Sequence, residues 1–474
     1  MSVFQRVYTA ELSQFLDVYL NSYRSRISTL EGQRDSLEVK SAVYTDLKSK
    51  LSTLRSLAED LSGSESLSAF GAKTATSSND DVLTATAGYG AVGMNHTIHV
   101  SQLARAHSVL SDRYTSSDTS LSSSWAGTQT FTITVDGTDY DVSVDIGAGT
   151  SNEDVITSVA QAINDVTDIP VRASKVDDTD STSKLYLAST ETGTENKMTF
   201  TDTDGLLGAL GLTNASAATD TVGGYIYADL GGNELDAQLT VDGISIVKST
   251  NTISDVLDGV TLNLLAEQEA ADPDVSLTVS IDTETISTKV TEFLDAYNDA
   301  YSYLASKTRV DSTTYERGAL AGDFSYINLW QSMRAAMSSS ISTVVNETYS
   351  GLSQIGISSS ASGEFSISDQ DDFEEALLNH LDAVEDLFNS AEGIAGQLED
   401  LLDDYTAASG IIWSSQDSLT SQIDLLNDRI DRQTVLMDLK EEDLIDQYGR
   451  IQDALYLNQS LTEIIAGMNS WLSG

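Results

Sequence analysis

The stretch Tyr44-Thr45-Asp46-Leu47-Lys48-Ser49-Lys50-Leu51-Ser52-Thr53-Leu54-Arg55-Ser56-Leu57-Ala58-Glu59-Asp60-Leu61 decides how the chain is read. Tyr44, Leu47, Leu51, Leu54, Ala58 and Leu61 recur at alternating steps of three and four residues, the spacing of a coiled-coil seam. The helical pattern extends back to Met1, with Gly32 as its one interruption. A second stripe lies near the other end, in Leu419, Ile423, Leu426, Ile430, Met437, Leu444, Ile451 and Leu455, with polar Gln433, Lys440 and Gln447 at alternate seam positions. Each large apolar side chain left in water costs roughly 1.5–3 kcal/mol. The two stripes are therefore expected to cover each other and join the chain's extremities in one stalk.

Between them the period changes to two. Val82–Thr86 and His96–Val100 alternate as strands across a glycine-rich turn. Leu103–Leu110 reads as a helical patch and Ser111–Ser124 as a surface loop. Phe131–Val135 and Tyr140–Val144 flank Asp136-Gly137, a hairpin signal. Ser151–Ile163 reads as a helix capped by Ser151 or Asn152, and strands resume at Val171–Val176, Lys184–Ala188 and Lys197–Thr201. Further strands at Gln238–Val241, Ile244–Val247, Val260–Leu264 and Ser276–Ser280 are expected to complete the sheet begun at Val82, so that the second β module is inserted in the first. From Thr285 the chain is helical again apart from a β-turn interlude around Leu352–Ile367. The fold class expected is α+β and multi-domain, a helical coiled-coil stalk of terminal segments with two nested β-rich head domains. The expected divisions are 1–40, a terminal helical segment; 41–75 with 283–440, the stalk; 76–124 with 229–282, the first head; 125–228, the inserted head; and 441–474, a C-terminal helical segment.

The 73 acidic against 25 basic residues give a formal charge of -48, which repels phosphate backbones and anionic lipid. Nucleic acid is not expected as a partner. Such a charge fits salty or alkaline surroundings, where screening reduces self-repulsion. No cysteine is present, so disulfide and thiolate chemistry are excluded. The N-terminus lacks the apolar core of a secretory signal, and no apolar run of spanning length occurs, so no membrane insertion is expected. Only Pro170 and Pro273 carry slow-isomerising bonds, which suits a chain that travels unfolded and refolds quickly.

Motifs for chemistry are weak. Gly88-Tyr89-Gly90-Ala91-Val92-Gly93 has the glycine spacing of a dinucleotide loop, but a strand follows it where a helix N-terminus is needed. The stretch ending Lys248-Ser249 lacks the glycine before the lysine of a phosphate loop. His96 and His99 project to opposite faces of one strand, and Asp177-Asp178-Thr179-Asp180 and Asp202-Thr203-Asp204-Gly205 lack calcium-loop spacing. Ser368 reads as the cap of a helix. No catalytic residue, metal site or cofactor is expected. Carboxylate pairs for polymer hydrolysis do not stand out from the acidic background.

Five stretches, in order, carry a resemblance. They are His99–His107, Leu239–Gly243 continuing through Lys248–Leu262, Phe293-Leu294-Asp295-Ala296-Tyr297-Asn298, Gly318–Asp323, and Ile355-Gly356-Ile357 with Gly363–Ile367. Together they resemble the flagellar filament capping protein family, also called flagellar hook-associated protein 2 or FliD. The start departs from the family pattern, opening directly with Val3-Phe4-Gln5-Arg6. The resemblance implies a secreted structural cap at the distal tip of the bacterial flagellar filament. It implies a homo-oligomer, a pentamer by family likeness, that promotes folding and insertion of exported flagellin. Further partners implied are the hook-filament junction protein and a cytoplasmic export chaperone. The alternative is a surface adhesin binding glycans through the heads. Phe15, Leu16, Tyr19, Leu30 and Leu37, with Leu455, Leu461, Ile464, Ile465, Met468, Trp471 and Leu472, are the expected oligomer or filament contacts, unless those nearest the seam bury within the subunit's own stalk.

Overall fold

The structure, a computed structural model, describes residues 10–63, 68–227, 232–341, 348–390 and 392–472. Two compact units emerge, one of residues 1–64, 68–70 and 284–474 and one of residues 65–67 and 71–283.

The first unit is helical. Its two longest helices are Ala10–Ser62 and Ile411–Leu472. Gln416 Nε2 donates to Thr45 Oγ1 at 3.1 Å, whereas Leu16 and Leu20 cluster with Leu444, so the two helices run antiparallel. The quoted seam is wholly internal: Leu47, Leu51, Leu54, Ala58 and Leu61 have no exposed surface. It is not closed by the C-terminal helix alone. Helix Ile394–Thr406 also packs on it, with Arg55 paired to Asp403 at 3.0 Å and Ser62 donating to Glu399 at 2.8 Å. Helix Thr283–Thr308 is tied to the same stretch through Lys50 to Asp299 and the Tyr303 hydroxyl donating to Asp46. Burial, and secondarily Asp46, pushes the Tyr303 hydroxyl up to about 12. Tyr326, on helix Phe324–Met337, lies between Tyr44 and Tyr405 at ring separations of 5.4 and 6.0 Å.

The hairpin Ile357–Ser359 with Phe365–Ile367 packs on this bundle. Gly363 at φ +92° turns it, and a Cβ there would stand 2.6 Å from the Tyr301 hydroxyl, so only glycine fits. The following helix, Gln370–Asn379, is capped by Asp369, whose carboxylate accepts from the Asp372 amide. The expected cap Ser368 instead donates to the Gly356 carbonyl. A carboxylate bonds better with the positive helix end than a hydroxyl does.

The second unit is built on two apolar cores. One lies between a five-stranded antiparallel sheet, ordered 73–77, 275–281, 95–102, 237–241 and 244–248, and a three-stranded sheet of 252–257, 260–264 and 83–87. Strands on either side of the insertion pair directly, Thr240 with His99 and Leu277 with His96, which makes the heads nested. The other core packs helix Asn152–Asn164 on sheets that include 127–135 with 138–146 and 171–179 with 182–192. Ser151 caps that helix. Asp136 (φ 47°) and Gly137 (φ 69°) turn one hairpin and Asp242 (φ 51°) and Gly243 (φ 80°) another, the left-handed pairs that two-residue hairpins need.

Two expectations are overturned here. Ala106–Leu110 is a strand and not part of a helix, because its alternation places His107 and Val109 inward beside Leu187. Ser111–Ser124 is not all loop: helix Ser120–Trp125 forms, with Leu121 buried in the second core. Serine-rich composition hid a single large anchor.

Candidate functional site

The two long helices carry many of the exposed large apolar side chains among the described residues. The helix pair grades along its length. Where the bundle surrounds it, Tyr44, Leu47, Leu51, Leu54 and Leu61 are buried, as is Leu419 opposite. Further along only two helices meet. Leu426 and Leu444 remain buried, but Ile423, Ile430, Met437, Leu30 and Leu37 are half-buried, as two-stranded packing requires. Gln433 occupies the seam there, and its Oε1 is buried without a donor.

Farther along the pair lies a small cluster of Leu12, Leu16, Leu20 and Leu444, flanked by Tyr23 and Tyr448. Leu16, expected as an assembly contact, is 3% exposed and packs inside its own subunit. Phe15 and Tyr19 lie on the outer face, their rings 6.1 Å apart, each about half exposed.

Past this cluster the C-terminal helix continues without described cover. Ile451 and Leu455, which the periodicity places in the seam, are exposed. Leu461, Ile464, Ile465 and Met468 are exposed at 50, 56, 56 and 59%. The side chains of Trp471 and Leu472 lie outside the described residues. Tyr456 and Leu457, at 77 and 65%, join this surface and were not among the expected contacts. Leu457 stands four residues before Leu461, so the helical step identifies it once the helix is known to continue. At roughly 1.5–3 kcal/mol per large apolar side chain fully covered, this row supplies ample energy for docking.

The head histidines are structural. His96 Nδ1 lies 2.7 Å from Asp242 and His99 Nδ1 lies 3.1 Å from Asp274, on separate faces. The His96 contact, then the Thr97 amide, holds the Asp242 carboxyl below its ordinary range. His107 is buried, accepts from the Met198 amide at Nδ1, and meets the Tyr225 ring edge-on at 4.5 Å. Burial, aided by Lys197, pushes it down to about 4, so it stays neutral. Among the described residues no group of three or more metal-binding side chains gathers, and no helix is long and apolar enough to cross a membrane.

Comparison with known proteins gives a consistent result. Residues 10–107 match the family described as flagellar hook-associated protein 2 N-terminus, and residues 235–460 match flagellar hook-associated protein 2 C-terminus, together more than half of the chain. The chain is 29% identical to the flagellar hook-associated protein 2 of Escherichia coli K12 over 89% of its own length and 90% of that protein. It is 29% identical to the B-type flagellar hook-associated protein 2 of Pseudomonas aeruginosa, over 81% and 78%. The crystal structure of the D1-D2-D3 domains of the Escherichia coli flagellar cap protein FliD superimposes with a TM-score of 0.61 at 27% identity, covering 80% of this chain and 99% of that one.

Proposed function

We infer a function from one fact, that the chain belongs to the flagellar hook-associated protein 2 family: it is a structural cap at the distal tip of a bacterial flagellar filament. In this reading it is exported, oligomerises, and promotes folding and insertion of flagellin beneath it. A pentamer, contact with the hook-filament junction protein and an export chaperone complete the proposal by family likeness. None of the relatives named above is described as an adhesin, and that reading is not taken further.

Further support is the apolar row Leu457, Leu461, Ile464, Ile465 and Met468, exposed on one face of the C-terminal helix. A neighbouring subunit or the shaft covers it, which offsets the entropy of ordering that end. Phe15, Tyr19, Leu455, Trp471 and Leu472 belong to the same proposed surface, whereas Leu30 and Leu37 serve the seam. The proposed divisions remain those stated above, with one change: the inserted head begins by Ala106, supported by Val109 and Leu121 in its core.

Gene deletion and complementation test this. Loss should leave flagellin in the medium with filaments short or absent, restored by the full chain but not by one truncated from Gln459 to Gly474. Full motility with the truncated chain refutes the role given to that end. Normal filaments after deletion refute the cap.

A further inference from the structure

We propose that the groove between the two long helices, bordered by Arg26, Arg429 and Arg432, receives an acidic helical face of a second copy of this chain. The proposal rests on the cap reading and names one contact that would hold its subunits together.

The groove has a volume of about 560 Å³ and takes Leu30 and Leu436 as its apolar floor. It lies where the seam is least closed, beside Gln433 with its unpaired buried acceptor. All three arginines are exposed. Several other cations of the same helices hold carboxylates, Arg24 with Asp17, Arg34 with Asp35, Arg55 with Asp403, and Lys440 with Asp443, while Lys40, Lys48 and Arg450, outside the groove, show no such pair among the described residues. Arg26, Arg429 and Arg432 form no such pair among the described residues. Asp428 stands four residues before Arg432, the spacing at which helical side chains are neighbours, yet no ion pair joins them.

Three uncommitted guanidiniums in one groove stand out in a chain with 73 acidic and 25 basic residues. Guanidinium forks match carboxylates in bidentate geometry. A polyphosphate offers no apolar surface to Leu30 and Leu436. A second copy brings carboxylates to close range together with its own apolar stripe for Leu30 and Leu436. Charge complementarity thus favours self-association here.

Sedimentation velocity of the full chain at low and high KCl tests this, comparing wild type with R26S/R429S/R432S and R26K/R429K/R432K. The serine variant should keep its helical circular dichroism and self-associate about tenfold more weakly at low KCl, while the lysine variant stays within about threefold of wild type. Wild-type association in a well-folded serine variant overturns the inference and leaves the cap reading intact. A wild type monomeric under all conditions overturns it too, and the deletion phenotype judges the cap reading separately. Intact self-association with lost flagellin binding makes flagellin the occupant and overturns the second-copy assignment. Should the serine variant lose helix, the single variant R432S takes its place: weaker self-association than wild type supports the groove, and wild-type association overturns it.

Discussion

Leu51 and Leu461 are the same residue type on long helices of one unit, yet replacing each by alanine should have opposite consequences. Leu51 has no exposed surface and sits on a stretch packed by the C-terminal helix and helix Ile394–Thr406. Truncation removes three buried carbons, about 2.4 kcal/mol of transfer free energy at ~0.8 per carbon, and leaves a cavity in a bundle whose neighbours are held by ion pairs. The total should reach about 3–4 kcal/mol. Leu461 is half exposed with no described core around it, so its truncation should change the isolated chain by less than about 0.5 kcal/mol. In cells the order reverses in kind: L461A chains should fold but occupy filament tips poorly. Urea unfolding followed by far-UV circular dichroism measures the first effect, because the helical unit dominates that signal, and fluorescent tip labelling measures the second. An L51A cost below about 1 kcal/mol, or an equal cost for L461A, would refute the division into an internal seam and a docking row.

Other outcomes follow from single sites. His107 is held down to about 4, below the ordinary 6.5, so the unfolded chain binds its proton first as pH falls. Its contribution to the inserted head is therefore full above pH ~6.5 and lost progressively toward pH ~4, by at most about 3 kcal/mol; a thermal midpoint of that head independent of pH across this window contradicts the assignment. Gly32, mid-helix with nothing within 4 Å of a built Cβ, should give a chain about 1 kcal/mol more stable as alanine. Gly193→Ala should destabilise by about 2 kcal/mol or more, since φ is +95° and a Cβ would lie 2.6 Å from the Ser249 Cα; calorimetry separates the two. With a net charge of -48, the thermal midpoint should rise as KCl is added, and no rise counts against a salt-adapted composition.

Much of the fold was legible because its periods are. The alternating three-and-four spacing from Tyr44 to Leu61 admits one structure, a covered helix, and the Asp136-Gly137 and Asp242-Gly243 turns admit tight hairpins. Short segments misled. Leu103–Leu110 contains apolar residues at both helical and strand spacing, and only pairing with the strand Thr182–Thr192 settles it. Serine-rich Ser111–Ser124 hides a helix because one leucine, Leu121, suffices to anchor it once a second core exists.

Local chemistry along the chain established the helices, the hairpins, the acidic surface and the absence of thiol chemistry, since each depends on neighbours in sequence or on composition alone. It also brought out the apolar stripes, whose existence is a matter of spacing. Which part of a stripe is internal depended on which other helices pack against it. That is why Leu16 became core, Ile451 and Leu455 became surface, and three arginines distant in sequence came to border one groove. Burial is a property of assembled neighbours, and periodicity names a face without naming what lies against it.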